Sequence, residues 1–179
     1  YSKKKIKNWT NFRHKDIKNL IDKSKIHYSF TKKEKYENKK ILENLGIDLN
    51  KKIEIIFLRD DFYFKKILKF TSQAANISSK NPDINTYIKA VNLLINRGYQ
   101  VIRIGKLSQK KLKIKNKYFF DITNSFHNND SLQTYLISKS KFLICSNSGL
   151  SYVSSFIFRK PCLITNHIPH GHFHIETKL

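Results

Sequence analysis

The chain has 179 residues, 40% of them hydrophobic, and a formal net charge of +22. This length suits one globular domain or half of a two-domain enzyme, and no stretch approaches the roughly 20 apolar residues that a membrane span requires. Because the chain contains no Met, we expect it to be a fragment or a processed form of a longer protein.

The positive charge comes mainly from lysine. Of the 35 basic residues only five are arginine, namely Arg13, Arg59, Arg97, Arg103 and Arg159. Proteins that read bases and phosphates rely on the bidentate fork of Arg, so the excess of Lys favours an AT-rich coding sequence as its cause. The alternative is an anionic partner such as nucleic acid or a membrane surface.

The chain consists of two segments that differ in composition and in hydrophobic periodicity. Residues 1–30 are Lys-rich with weak periodicity, which predicts a linker or the end of a preceding domain. Residues 31–179 carry a much clearer pattern and predict the domain itself, in a chain that we expect to be truncated.

Helices and strands alternate within this domain. Thr31 and Glu34 have the spacing of a capping box and begin a helix that Gly46 ends. The run "KIEIIFLRDD" predicts a strand that stops at Arg59. Asp83 caps a helix that ends near the strand "YQVIRIG".

The second half of the domain continues this alternation. The strand "YFFDIT" is followed by a short helix capped by Asp130, the strand "KFLIC", a helix over 148–158 and the strand "CLIT". The strands are almost continuously apolar, as strands buried on both faces are. The pattern predicts an α/β, Rossmann-like parallel sheet with flanking helices and right-handed crossovers.

Ligands of open parallel sheets bind beyond the carboxyl ends of the strands. This rule selects residues 59–61, residues 103–105 and the loop 146–151. In that loop small residues lead from a strand into a helix, where unpaired N–H groups and the helix dipole attract phosphate. The alternative interpretation is that the loop only caps the helix through Ser148.

Individual residues of this loop suit an anion. Ser146, Asn147 and Ser148 supply polar side chains, and Gly149 lets a ligand approach the backbone closely.

Two arginines are candidates beside the loop. Arg59 ends a buried strand, and its planar fork suits a diphosphate, although a salt bridge to Asp60 or Asp61 would also satisfy it. Arg103 lies between two Ile residues near Gly105, and either faces the cleft or forms a structural ion pair at another edge of the sheet.

The chain lacks the sequence motifs of several other classes of enzyme and binding site. The chain has no G-x-G-x-x-G after the first strand, no P-loop and no G-x-S-x-G elbow. Its tail holds His167, His170, His172 and His174, but Pro and Gly between them predict an irregular loop, and we predict no metal site. Cys145 and Cys162 fit neither a disulfide framework nor a zinc site, which favours buried thiols in a reducing cytoplasm.

Four segments of the domain are "FTKKEKYENKKILENLGI", "IIFLRDDFYF", "NPDINTYIKAVNLLINRGYQVIRIG" and "FLICSNSGLSYVSSFIFRKPCLITNHIPHG". In this order they resemble the C-terminal domain of a family of bacterial glycosyltransferases from surface-polysaccharide gene clusters. The resemblance runs from about Phe30 to the end of the chain. The chain departs from the family pattern at Lys80, where Arg is usual, and at Gln133 and Ser151, where acidic residues are common.

This resemblance implies a GT-B-like enzyme, distantly similar to fucosyltransferases and heptosyltransferases, whose C-terminal domain holds a nucleotide sugar without a metal ion or other cofactor. The donor-phosphate site that it implies, together with the loop, comprises Arg59, Asn147, Ser148, Gly149, Leu150 and Ser151. The catalytic candidates are Asp60 and Asp130, as the base for an acceptor hydroxyl. Further cleft candidates are Asp83, Arg103, Gly105 and Ser146.

The function predicted here is transfer of a sugar from a nucleotide-diphosphate sugar to a saccharide acceptor in surface-polysaccharide synthesis. We expect a cytoplasmic protein, with peripheral contact to an anionic inner membrane and an N-terminal domain beyond this chain as further partners. The alternative is a non-catalytic basic module that binds nucleic acid or anionic polysaccharide, which the +22 charge and the interleaved Tyr and Phe would also suit.

Overall fold

The structure is a computed structural model that describes residues 23, 25–26, 28–60, 62, 81–106, 108, 110–146 and 148–166. Almost all of them belong to one compact unit, Tyr28–His167. The division of the chain at residue 31 stays a prediction, because most of residues 1–27 lie outside the described part. So do Asp61, Lys80, Asn147 and the His-rich tail.

Helices and parallel strands alternate as predicted. The helices are α1 (Lys32–Asn44), α2 (Ile88–Asn96, preceded by the 3-10 turn Ile84–Tyr87), α3 (Asp130–Lys139) and α4 (Leu150–Tyr152, continued by the π-helical turn Val153–Ile157). The strands are β1 (Lys52–Phe57), β2 (Tyr99–Ile104), β3 (Phe119–Asp121), β4 (Leu143–Ser146) and β5 (Cys162–Thr165).

The five strands form one parallel sheet in the order β3-β2-β1-β4-β5. The central strand β1 pairs with β2 on one side and with β4 on the other, so Phe57 lies level with both Ile104 and Cys145. The chain first builds the sheet outward to β3 and then returns beside β1. The strand order therefore reverses between β1 and β4, and the α/β, Rossmann-like prediction is confirmed.

Both faces of the sheet are buried. One face packs Ile55, Ile102 and Leu143 against Leu42 of α1 and Leu136 of α3. The opposite face packs other β-branched residues of the same strands against α2. A fully buried Leu or Ile contributes about 1.5–3 kcal/mol to folding, so these two layers fix the strands and the positions of their carboxyl ends.

The predicted ends of α1 are confirmed. The Glu34 amide donates to Thr31 Oγ1 at 3.2 Å, and Glu34 Oε2 accepts from the Thr31 amide at 2.8 Å. Gly46 follows the helix at φ 77°, in the left-handed region that a glycine adopts without strain. These are local signals, and they form the predicted local structure.

Two predicted helix starts are corrected. Asp130 is not the cap of α3: Asn129 is extended, and its side chain accepts the Leu132 amide at 2.8 Å. The helix predicted over 148–158 begins only at Leu150, because Ser148 Oγ accepts the Leu150 amide at 3.1 Å and closes a turn before it.

Candidate functional site

A cleft of about 430 Å³ lies at the carboxyl ends of β1, β2 and β4, where the strand order reverses. Three loops and one helix surround it. Its described lining comprises Phe57 at the end of β1, Leu58, Arg59 and Asp60 after β1, Lys106 and Ser108 after β2, Asp130 and Gln133 on α3, Ser148 and Gly149 after β4, and Leu150 at the start of α4. Six residues predicted from the sequence therefore meet here, namely Arg59, Asp60, Asp130, Ser148, Gly149 and Leu150.

The loop after β4 presents open space to the cleft. Gly149 has a helical φ of −60°, so its backbone conformation is open to any residue. A Cβ atom added there would meet no described atom within 4 Å. The lack of a side chain at Gly149 thus leaves room in the cleft rather than relieving strain.

Ser148 and Ser151 make hydrogen bonds within the loop. Ser148 Oγ accepts the Leu150 amide in the turn before α4, whose N-cap residue is Gly149, while the Ser148 carbonyl accepts the Ser151 hydroxyl at 2.7 Å. Ser151 is buried and is not among the described lining residues, contrary to its prediction as a phosphate ligand. Its hydroxyl instead holds the first helical turn together.

Ser146 is likewise a structural residue. It is fully buried, and its Oγ accepts the backbone N–H of Arg59 at 2.8 Å. The predicted role of Ser146 as a cleft residue is corrected, because this hydrogen bond uses its hydroxyl to join the ends of β1 and β4. The bond keeps Arg59 beside the loop that contains Ser148.

Asp60 belongs to a hydrogen-bonded chain that leads into the protein. Its Oδ1 accepts the Phe62 amide at 3.0 Å, and its Oδ2 accepts the Ser108 hydroxyl. Ser108 Oγ in turn accepts from Arg103 Nη2 at 2.7 Å. The carboxylate of Asp60 is therefore held in a defined orientation at the wall of the cleft.

Of the two candidate arginines, Arg59 and Arg103, Arg103 has a structural role. Its side chain is fully buried and makes an ion pair with Asp121 at 2.9 Å and a hydrogen bond to the Lys110 carbonyl at 2.7 Å. The prediction that it contacts substrate is corrected, and the alternative of a structural ion pair is confirmed. Its contact with Ser108 links it to Asp60 indirectly.

Two more predicted cleft residues lie outside the described lining. Gly105 has φ 132°, its carbonyl accepts from Asn128, and an added Cβ would lie 3.1 Å from the Phe57 ring, so it is required for close packing. Asp83 is exposed and caps the 3-10 turn before α2 by accepting the Asn85 amide at 3.1 Å.

The cleft also contains residues that the sequence analysis did not select. Lys106 Nζ lies 2.8 Å from the carboxylate of Asp130, at an exposed part of the cleft. Lys106 and Ser108 directly follow β2, so the strand-end rule could have found them. Gln133 lies inside α3, and only the tertiary structure brings it to the cleft.

The two cysteines are free thiols on neighbouring strands. Their Sγ atoms lie 3.5 Å apart, with Cys145 buried and Cys162 partly exposed. The hydrogen bond with Cys162, together with burial, raises the pKa of Cys145 above its ordinary value, whereas the same bond lowers the pKa of Cys162. A protonated, buried Cys145 is a poor nucleophile, in agreement with the prediction of a buried thiol there.

The residues that the structure describes contain neither a metal-binding cluster nor a membrane-spanning helix. No three His, Cys, Asp or Glu side chains in them are placed to hold a metal ion. None of the helices that the structure describes is long and apolar enough to cross a membrane.

Comparison with known proteins identifies one similar solved structure. No protein-family model and no curated protein matches the chain. The structure of E. coli ADP-heptose LPS heptosyltransferase II is similar with a TM-score of 0.52 and 14% sequence identity. The match covers 76% of this chain and 38% of the heptosyltransferase chain, so this chain corresponds to well under half of that protein. The likeness shows a fold similar to that of the heptosyltransferase, and membership of the bacterial family stays a prediction.

Proposed function

We propose that this chain is the donor-binding part of a glycosyltransferase that transfers a sugar from a nucleotide-diphosphate sugar to a saccharide acceptor. The observation that carries the proposal is the cleft, in which Arg59, Lys106 and the Ser148–Gly149 loop meet from three strand ends. It lies at the reversal of strand order, where open parallel sheets bind nucleotides. The glycosyltransferase-like fold is consistent with this use.

The reaction needs positive charge near the departing diphosphate. In this proposal Arg59 donates its guanidinium hydrogen bonds to the phosphates, and Lys106, which follows β2, adds a second cation. The open surface of Gly149 lets a phosphate come close to the backbone. The protein's own cations then perform the charge stabilisation that other enzymes obtain from a metal ion, and no cofactor is required.

The reaction also needs a base. The oxygen of the acceptor hydroxyl attacks the anomeric carbon of the donor sugar while the bond from that carbon to the diphosphate breaks, and the base accepts the hydroxyl proton. Asp60 is our first candidate, because hydrogen bonds from Ser108 and Phe62 hold its carboxylate at the cleft wall. Asp130 is the second candidate, and its ion pair with Lys106 places it at the exposed mouth. An acceptor-binding domain beyond this chain completes the site in our proposal.

The proposed setting is surface-polysaccharide synthesis in the bacterial cytoplasm. A net charge of +22 suits peripheral contact with an anionic inner membrane, where a growing saccharide would be presented. These parts of the proposal rest on the sequence resemblance and on the charge.

Replacement of Arg59 tests the function. We expect the chain to bind at least one of GDP, UDP, ADP, CMP or their sugars in a calorimetric or thermal-shift screen, and Arg59→Ala to weaken that binding by at least about 30-fold. Truncation of a charged hydrogen-bond partner of a bound phosphate usually has an effect of this size. The matched control is Arg97→Ala, an exposed arginine at the end of α2, which should bind as the wild type does.

Two results would contradict the proposal. If no nucleotide binds, or if Arg59→Ala binds as tightly as Arg97→Ala, the cleft is not a donor site. Binding that falls steeply with salt and shows no preference for nucleotides would instead favour a basic module for nucleic acid or anionic polysaccharide.

A second variant probes the same site without removing a charge. Gly149→Leu fills open space in a backbone conformation that Leu adopts readily, so we expect the thermal midpoint to change by no more than about 2 °C. Nucleotide affinity should fall by more than tenfold, because the new side chain occupies the phosphate position. Unchanged affinity in isothermal calorimetry would place the phosphate away from this loop.

A further inference from the structure

Gln133 is a buried polar residue that makes no evident contribution to the fold. It lies on the second turn of α3, its side chain lines the cleft, and only 4% of the residue is exposed. Its amide nitrogen Nε2 has no hydrogen-bond partner in the described part of the chain. A buried amide group without a partner destabilises a protein, so such a group calls for an explanation.

Gln133 lies on the same helix as residues of the apolar core, and no described hydrogen bond of its side-chain amide stabilises the fold. Its neighbours Leu132 and Leu136 belong to the apolar core, and the backbone N–H of Gln133 already donates to the Asn129 carbonyl at 3.1 Å. The side-chain amide is therefore not needed to hold α3 in place. Because Gln133 is among the residues that line the cleft, a ligand bound there could supply the missing partner.

The lining of the cleft includes both charged and neutral side chains. Arg59 and Lys106 are suited to phosphates, while Phe57, Leu150 and Gln133 together offer apolar surface and one carboxamide. A nucleobase has apolar faces and, at its edge, neighbouring hydrogen-bond donors and acceptors. A carboxamide presents one donor group beside one acceptor, and rotation about χ3 exchanges them.

We propose that Gln133 reads the nucleobase of the bound nucleotide and thereby determines donor specificity. This inference rests on the proposed function, because it assigns the base-binding end of the same cleft. The amide makes its hydrogen bonds to the base edge when the diphosphate occupies the side of Arg59. Binding of the correct base then gives Nε2 the hydrogen-bond partner that it lacks among the described residues.

The experiment compares inorganic pyrophosphate with GDP, UDP and ADP by isothermal calorimetry on the whole chain. We expect one nucleotide to bind the wild type most tightly, and Gln133→Met to weaken that nucleotide about tenfold, the effect of one lost neutral hydrogen bond. Pyrophosphate should bind both proteins within twofold. The unliganded Gln133→Met protein should melt at the same temperature or higher, because Met fills the volume without an unpaired amide.

Gln133→Glu is a second, nearly isosteric variant. A carboxylate only accepts hydrogen bonds, so the ranking should shift toward GDP, whose guanine edge carries two adjacent N–H donors. Its pyrophosphate affinity, measured in parallel, corrects for repulsion between the new charge and the phosphates.

Each other outcome contradicts a distinct part of the argument. If the wild type binds pyrophosphate and the nucleotides but Gln133→Met keeps both affinities and ranking, the inference about the base is wrong. It is equally wrong if Gln133→Met weakens pyrophosphate as much as nucleotide, or loses its fold. If the wild type binds none of the four probes, and neither CMP nor a nucleotide sugar binds, the proposed function fails and this inference fails with it.

Discussion

Replacing Arg103 with Ala should destabilise the domain more than any change at the rim of the cleft. The guanidinium is fully buried and bonds Asp121, the Lys110 carbonyl and Ser108 at 2.7–2.9 Å. Its removal leaves these groups without their donor and creates a cavity. Because the Asp121 side chain remains 21% exposed, water can solvate it in part, and we expect a loss of about 3 kcal/mol, the low end for a broken buried ion pair.

Urea denaturation of three variants would measure this effect. Arg97→Ala removes an exposed arginine and should change the free energy of unfolding by no more than about 0.5 kcal/mol. In the double variant Arg103→Met with Asp121→Asn, both charges are lost together, so it should recover part of the stability that Arg103→Ala loses. A loss below about 1 kcal/mol in Arg103→Ala would show that the ion pair contributes little.

The stability of the domain should fall as the pH rises through the neutral range, and Glu54 should be the cause. This residue is fully buried in β1, and neither of its carboxylate oxygens has a hydrogen-bond partner among the described residues. Burial raises the pKa of Glu54 from 4.5 to about 9, and the nearby Ile55 and Phe142 amides and the charge of Lys160 offset only part of this. The folded protein therefore keeps Glu54 protonated at neutral pH.

The direction of the pH effect follows from proton binding in the two states. Below about pH 4.5 Glu54 is protonated in both states, and the full stability of the buried neutral group is present. As the pH rises toward about 9, the unfolded chain releases this proton while the folded chain retains it, so each pH unit lowers the free energy of unfolding by up to about 1.4 kcal/mol. Above that pKa the loss is complete.

Glu54→Gln, which keeps the shape and stays neutral, should remove this slope. Between pH 5 and pH 8 we expect the variant to gain about 4 kcal/mol relative to the wild type. Urea denaturation at several pH values measures the difference, and Glu43→Gln, on the exposed surface of α1, is the matched control. Parallel pH profiles for the wild type and Glu54→Gln would show that Glu54 ionises in the fold without penalty.

Local signals explain why the order of elements was predictable. Each signal acts over only a few residues of chain. Strands form at the apolar runs of β1, β2, β4 and β5, and a helix begins at the capping box of Thr31 and Glu34, as their patterns predict. The start of α3 was misplaced by one residue because Asn129 and Asp130 are both good caps in adjacent positions. Their sequence pattern does not decide which one takes the extended backbone conformation.

Two arginines show what local sequence patterns do not predict. Arg59 and Arg103 both occur in Ile-rich strand segments, yet one lines the cleft and the other pairs with Asp121. The difference depends on strand pairing, since only the register of β2 with β3 sets Arg103 beside Asp121. Gln133 illustrates the same limit, because the sequence marks it only as a departure from the family pattern and the packing of α3 brings it to the cleft.

The amino-acid sequence by itself determined the alternation of helices and strands, the parallel class of the sheet and the strand ends at which a ligand could bind. These properties follow from periodicity and capping, which act within a few residues of chain. Only the tertiary structure decided which polar side chains meet, as Arg59 meets Gly149 at the cleft and Glu54 is buried beside Lys160. Such contacts join residues far apart in the chain, and strand order and register, which local patterns do not encode, select them.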